Sequence, residues 1–387
     1  MTKATVKKFI ALALLLVVLG ILLVLKTNQA VCEFFATTFS RAWIFVFGNL
    51  IGWLPISMYE LLLIVAILGA IAVVVFIIVY LAKRKWQRLL SLTVAVAIAV
   101  VSFVNIYTAT ASFSYNRNPL PREIYTEYKS DDFSREQAIA LAENIIDKAN
   151  NLYLQTDHDQ DGNVVYPFSF SELSDMLAVE YKRLNSKYFS SYTPKGKRIL
   201  NKWIMSQMHI TGVFFAPFGE ANVNGNENNL YLPCTLAHEM AHGKGVMREY
   251  QADLVAYYVL LTCNNCYLQY GAMVEAMYSA LGLISLYPNT SDVYAQLFDK
   301  IDKGIFKELD NYFDFYGQFT LFDDIGSWFN NLYLKLQGQN EGTGSYEKPP
   351  VTEGSGEFDG DGNEIQIIGE FSGVQNLLIH LYKQGLI

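Results

Sequence analysis

Residues 235–253 read TLAHEMAHGKGVMREYQAD, and this stretch decides how the rest of the chain is read. His238 and His242 are four apart, so on a helix both imidazoles leave the same face and reach a single ion. Composition alone would yield an HExxH in a chain like this only about 0.003 times. Thr235 is the predicted N-cap of that helix. Gly243 and Gly245 end it and let the backbone turn through conformations closed to other residues. A new helical run then opens at Glu249, with Asp253 one turn later on the same face.

A zinc ion held by two neutral imidazoles needs a third protein ligand and an open position if it is to activate water. Glu249 is the expected third ligand, and Asp253 the carboxylate that accepts an N–H from a ligating histidine and fixes its tautomer. Spacing alone leaves the reverse open, with Asp253 on the metal. Glu239 projects about 100° around the helix from His238. It is thus free to act as general base on water whose pKa a zinc lowers from about 16 to about 7. The reaction expected is amide hydrolysis. A purely structural zinc would need a fourth ligand and leave Glu239 without a task. The oxyanion donor that a peptidase also needs is not selected by spacing: His209, Tyr346 and the tyrosines between Tyr257 and Tyr278 are all candidates.

Outward from this motif, the 387-residue chain is 52% hydrophobic and 17% charged, with 29 Lys and Arg against 37 Asp and Glu. The net charge of -8 is the wrong sign for bulk attraction to nucleic acid, and four cysteines are too few for a disulfide scaffold. The apolar residues are concentrated near the amino terminus. Residues 9–25, 61–82 and 89–109 are three predicted transmembrane spans for a hydrocarbon layer about 30 Å thick, making 1–110 a membrane domain. The first span is read as an uncleaved anchor, because no small-x-small cleavage pattern follows it. Residues 43–55 are too short and too interrupted to cross, and are expected in the interface, with Glu60 an interfacial residue at the edge of the second span. Lys3, Lys7 and Lys8, and the cluster Lys83, Arg84, Lys85 and Arg88, put the amino terminus and the hairpin loop in the cytoplasm. Everything past the third span is then extracytoplasmic.

Residues 111–133 have the composition of a linker, and 134–387 form the expected metallopeptidase domain. Ser134 and Gln137 make a capping box before a helical apolar pattern, a second helix is expected from about Ser171, and 213–218 reads as an edge strand that could receive an extended substrate. From Thr235 to about Gln337 the pattern is helical, broken near Gly243, Pro288 and Gly326. Residues 338–364 read as a flexible loop, and 374–381 as a closing helix. Asp157, Asp159 and Asp161 copy only half a calcium loop, because Phe168 stands where the bidentate Glu belongs, so a polar hairpin turn is expected. Cys263 and Cys266 are either a local disulfide or core residues.

The segment 212–258, GVFFAPFGEANVNGNENNLYLPCTLAHEMAHGKGVMREYQADLVAYY, resembles an uncharacterised family of bacterial membrane-anchored zinc-peptidase-like proteins, a domain of unknown function with three amino-terminal spans. The resemblance extends to 112–121 and to 333–346, YLKLQGQNEGTGSY. It implies His238, His242 and Glu249 as ligands and Glu239 as the catalytic residue of an HExxHxxGxxxE pattern, and adds weight to Glu220 and Tyr346 as substrate or oxyanion contacts. The chain departs from the family at Gln251, where a second acid is usual, and at Asp253, where Asn is frequent. Residues 249–253 are also similar to the ExxAD element of gluzincin peptidases.

The expectation is therefore an α+β, mostly helical, zincin-like domain behind transmembrane helices, holding one Zn2+ per chain. It would cleave peptide or protein substrates at a lipid bilayer, without a nucleic-acid partner. Two alternatives stay open: a non-catalytic receptor or scaffold with a structural zinc, and a cell-wall amidase using the same residues.

Overall fold

In the computed structural model, residues 2–358 and 364–387 are described, with the side chains of 352–369 left aside. The chain begins with α1 (Lys3–Leu25), α2 (Gln29–Phe35) and α3 (Arg41–Ile51), the last two joined by a π turn over Ala36–Ser40. The hairpin of α4 (Met58–Ala82) and α5 (Trp86–Thr110) follows. Four rods are long and apolar enough to cross a membrane: α1, the continuous run Gln29–Ile51, α4 and α5. Their outward faces are exposed Leu, Val, Ile and Phe, the surface a lipid bilayer solvates.

These rods have a defined polarity. Lys8 Nζ donates to Ser91 O and Oγ, Asn105 Nδ2 to Leu15 O and Asn116 Nδ2 to Lys26 O, so α1 and α5 run parallel. The tight turn at Lys83–Lys85 makes α4 antiparallel to both. The end of α1, the start of α4 and the end of α5 therefore share one level. The run Gln29–Ile51 leaves and returns to that level, and 43–50 lie inside it as helix, where the sequence reading placed a short irregular segment. Trp43 Nε1 donates to Pro217 O, and Gly48 packs under the ring of Tyr192.

The second half is a mostly helical α+β assembly. α6 (Arg135–Gln155) is followed by the hairpin of β1 (Asp157–His158) and β2 (Val164–Val165), then α7 (Phe170–Tyr181). Both helices start in capping boxes, from Ser134 and Gln137 and from Ser169 and Glu172. β3 (Gly196–Ile199), α8 (Lys202–Gln207), β4 (Gly212–Phe215) and β5 (Glu220–Asn224) come next. β5 is the buried middle strand of a three-stranded sheet, parallel to β3 and antiparallel to β4. The helices α9 (Leu232–Gly243), α10 (Glu249–Leu261) and α11 (Cys266–Ser285) carry the core, where Leu236, Met240, Val255 and Met277 meet Leu141, Ile145 and Leu177 of α6 and α7. α12 (Ser291–Asp299), α13 (Lys303–Tyr316) and α14 (Asp323–Leu336) follow, then the hairpin β6 (Val351–Phe358) and β7 (Glu364–Glu370), and α15 (Gly373–Lys383).

Several expectations change. Helix α9 starts at Leu232 with Pro233 in its first turn, so Thr235 is not the cap; Pro presets the backbone there, and the Thr235 hydroxyl turns to Glu227. The stretch 111–133 is no solvated linker: Phe113, Tyr115, Arg117 and Phe133 are buried, and Arg117 joins Glu33 to the carbonyls of Tyr188 and Gly245. The stretch 338–364 is no simple loop. It holds a 3-10 turn at Gly342–Tyr346 and strand β6, whose backbone pairs with β7, while 359–363 lie outside the described residues. Gly326 sits inside α14 and does not break it. The Asp159 turn closes on itself, its carboxylate accepting from the N–H groups of Asp161 and Asn163. All four cysteines are free thiols.

Candidate metal centre

Helices α9 and α10 meet at a tight turn that the sequence builds from glycine. Gly245 has φ 94°, a left-handed conformation that a side chain resists, and it folds the chain so that Val246 O accepts from His242 Nδ1 at 2.7 Å. On the other ligand, His238 Nδ1 lies 2.6 Å from Asp253 Oδ1. Both Nδ1 atoms thus donate, so each ring when neutral presents an Nε2 lone pair, and Nε2 carries a proton only in the imidazolium form. These two nitrogens converge on Glu249 Oε2, at 3.2 Å from His238 and 3.4 Å from His242. Three acceptors with no proton between them repel one another unless positive charge enters. The ligand atoms of His238, His242 and Glu249 lie within 4.8 Å of one another, a spacing that fits one divalent ion.

The electrostatics of the trio point the same way. Burial opposes charge on both imidazoles, yet Asp253 and Glu249 outweigh it and hold His238 well above its ordinary pKa, and Glu249 does the same for His242. Burial likewise opposes ionisation of Glu249, but the two imidazoles bring it down to about 2. Glu239 behaves differently. Burial pushes its carboxyl up to about 7, and its Oε2 is a buried oxygen without a partner. The other side of that carboxylate lies against Gly212 of β4, where an added Cβ would stand 2.4 Å from Glu239 Oε1.

These residues line a cleft of about 720 Å³. Its walls come from β4, α9, α10, the loop after α8, and α14 with the 3-10 turn that follows. The cleft brings together His238, His242, Glu249, Glu239, Asp253 and Tyr346, whose ring centroid is 6.4 Å from that of His238. His209 also lines it, and its Nε2 pairs with Phe319 O. Glu220 is not brought there. Its buried carboxylate accepts from Met58 N at 3.0 Å, Tyr59 N at 3.1 Å and Lys197 Nζ, capping the first turn of α4, so the reading of Glu220 as a substrate contact loses its geometry. Glu60, in that same first turn, accepts from the N–H groups of Leu200 and Asn201.

Other cleft residues escaped the sequence reading. Tyr333 on α14 bonds Tyr115 at 2.8 Å and also bonds Tyr107 in the last turn of α5, so the cleft wall is tied directly to a membrane helix. Glu227 and Glu275 lie deeper, and burial pushes Glu227 up to about 7. No local signal marks them, although Tyr333 opens the second family-like segment, 333–346.

A family model described as protein of unknown function (DUF3810) matches residues 35–350. The chain belongs to that family. The DUF3810 match takes in His238, His242, Glu249, Glu239 and the roof of the cleft, and stops just before β6. No curated protein and no solved structure matches the chain significantly.

Proposed function

We propose that this DUF3810 member is a membrane-anchored, zinc-dependent endopeptidase. The observation that carries the reading is the convergence of three lone-pair donors, His238 Nε2 on a half-buried side chain and His242 Nε2 and Glu249 Oε2 on buried ones, beside a buried carboxylate with an unpartnered oxygen. His238, His242 and Glu249 would hold the ion, and Asp253 and Val246 O would orient the two rings. When bound, zinc supplies Lewis acidity toward a scissile carbonyl and acidifies water at its open position.

The remaining chemistry belongs to the chain. Glu239, raised to about 7 by burial, is suited to take a proton from the attacking water and pass it to the leaving amine. Tyr346 lines the same space, its ring 6.4 Å from that of His238, and is the hydroxyl we assign to a developing oxyanion. A structural zinc is disfavoured because, among the described residues, the cluster offers three ligands and no fourth.

The helix directions favour three crossings, by α1, α4 and α5, with Gln29–Ile51 lying along the surface. Its neighbours α1 and α4 end and begin at one level, so a crossing there would strand one of its ends on the wrong side. Lys3, Lys7, Lys8 and the loop Lys83–Lys85 all gather at the opposite level, which supports a reading with them in the cytoplasm and the cleft outside.

The test is the full chain, purified in detergent, with wild type beside Glu239→Gln. Expected are about one zinc per chain in both, and hydrolysis of an unfolded protein only by wild type, slowed by a factor of about 10² to 10⁴ in the variant. Cleavage of cell-wall peptide but not of protein would move the activity to an amidase. Equal hydrolysis by both proteins would overturn the assignment of Glu239.

A further inference from the structure

Helix α14 carries its apolar residues on the wrong side for a water-soluble fold. Ile325, Trp328, Leu332 and Leu336 recur at helical spacing and form one exposed stripe, with Trp328 58% and Leu336 71% exposed, and Phe329 stands at the edge where the stripe meets the cleft. The opposite face is the one that packs inward: Gly326 and Leu334 are buried, and Asn330 and Tyr333 line the metal cleft. Asp323, Asp324 and Lys335 stand at its ends. A stripe about 20 Å long is too large and too regular to be the scattered apolar exposure of an ordinary surface.

Its surroundings say what covers it. At the carboxyl end of α14, Gln337 O accepts from Lys26 Nζ at the end of α1, and Gln337 Oε1 accepts from Ser112 Oγ just past α5. At the other end, the Phe322 ring packs edge-on against Trp203 of α8, 6.0 Å between centroids. Leu200 and Trp203 are 79% and 52% exposed. Leu200 N in turn donates to Glu60 in the first turn of α4. The stripe is thus pinned at both ends to the level where the membrane helices leave the hydrocarbon, and it continues their apolar surface sideways.

We propose that α14, with α8 beside it, lies flat in the lipid interface, its apolar stripe in the acyl region of the leaflet from which the spanning helices emerge. The bilayer then holds in place the helix that roofs the metal cleft, and the cleft opens at the membrane surface. The chains that enter it most readily are extended segments next to a membrane anchor. This goes beyond the hydrolase reading and rests on the membrane placement alone.

The experiment uses the full chain in phosphatidylcholine vesicles containing a diazirine-tailed phosphatidylcholine, photolysed and mapped by mass spectrometry, with no substrate present. Lipid adducts are expected on 321–336 and 200–204 as well as on the helices between residues 3 and 110. The double variant Trp328→Ser, Leu332→Ser is expected to lose the adducts on 321–336 and keep those on 86–110, which reports intact insertion. Adducts confined to 3–110, with 321–336 unlabelled or masked by a second copy, would overturn the proposal, as would unchanged labelling of 321–336 in the double variant. None of these readouts depends on zinc or hydrolysis, so the two readings fail separately.

Discussion

Helices α10 and α14 are 13 and 14 residues long and similarly rich in apolar side chains, yet nine residues of α10 are buried and only Gly326 and Leu334 of α14 are. The difference lies in what each helix packs against. α10 is buried all round by α7, α9, α11 and α15, so its sequence answers to the interior of the fold. α14 answers to the cleft on one face and to something outside the chain on the other. Burial therefore fixes the proposed ligand Glu249, while the roof residue Tyr333 sits on a helix whose other face is exposed.

Five substitutions bear on that contrast, the largest expected effect first. Replacing His242 by Ala removes one of three ligands, and zinc measured after dialysis should fall from about one per chain to none; equal zinc in variant and wild type would break the assignment of the α9 and α10 side. Next comes Leu254→Ala, which opens a cavity under α10 and should cost about 2 to 5 kcal/mol in denaturant unfolding of the detergent-solubilised chain. The matched change on the exposed stripe, Trp328→Ser, should stay within about 0.5 kcal/mol in the same measurement, and a comparable loss at both sites would erase the distinction.

Glu227→Gln probes the buried wall between the two helices. Burial raises the Glu227 carboxyl from 4.5 to about 7 in the folded protein, so the unfolded chain ionises first as pH rises. Stability should fall between about pH 4.5 and pH 7 and level off above, by a few kcal/mol at most. The Gln variant should show a flatter profile over that window, and an unchanged slope would remove Glu227 as its source. The smallest change in structure is Gly212→Ala, where the added methyl meets Glu239 Oε1; hydrolysis should drop about tenfold or more with zinc retained, and full activity would show that Glu239 has room to move.

Much of the α9 and α10 side was legible because its logic is local. The four-residue spacing of the histidines, the glycine turn and the acid at 249 lie within twelve residues of one another. Capping boxes at Ser134 and the apolar patterns of α6 and α15 are local in the same way. What escaped depends on partners far along the chain. Glu220 looked like a cleft residue from its neighbourhood in sequence, but its carboxylate is claimed by Met58, 162 positions away. Tyr107 and Tyr333 are 226 apart. The composition of 111–133 and 338–364, rich in Pro, Gly and polar residues, gave no hint that Phe113 would be buried against Phe35 or that Tyr115 and Tyr346 would line the cleft. Thr235 misled for another reason: the helix starts three residues earlier, at Leu232 with Pro233 in its first turn, and the Thr235 hydroxyl is free for Glu227.

The cap that Glu220 places on α4 reaches beyond that single contact. Its carboxylate ties the central strand of the sheet, through Lys197 of β3, to the first turn of a helix that stands in lipid. Cutting the chain at residue 134 to obtain a water-soluble fragment would take the Met58 and Tyr59 N–H groups away from the buried Glu220–Lys197 pair, and would strip Arg117 and Tyr115 from behind the turn between α9 and α10. If the proposed hydrolase reading holds, activity is bound to the intact anchor, and a cut between the anchor and the second half of the chain would switch it off.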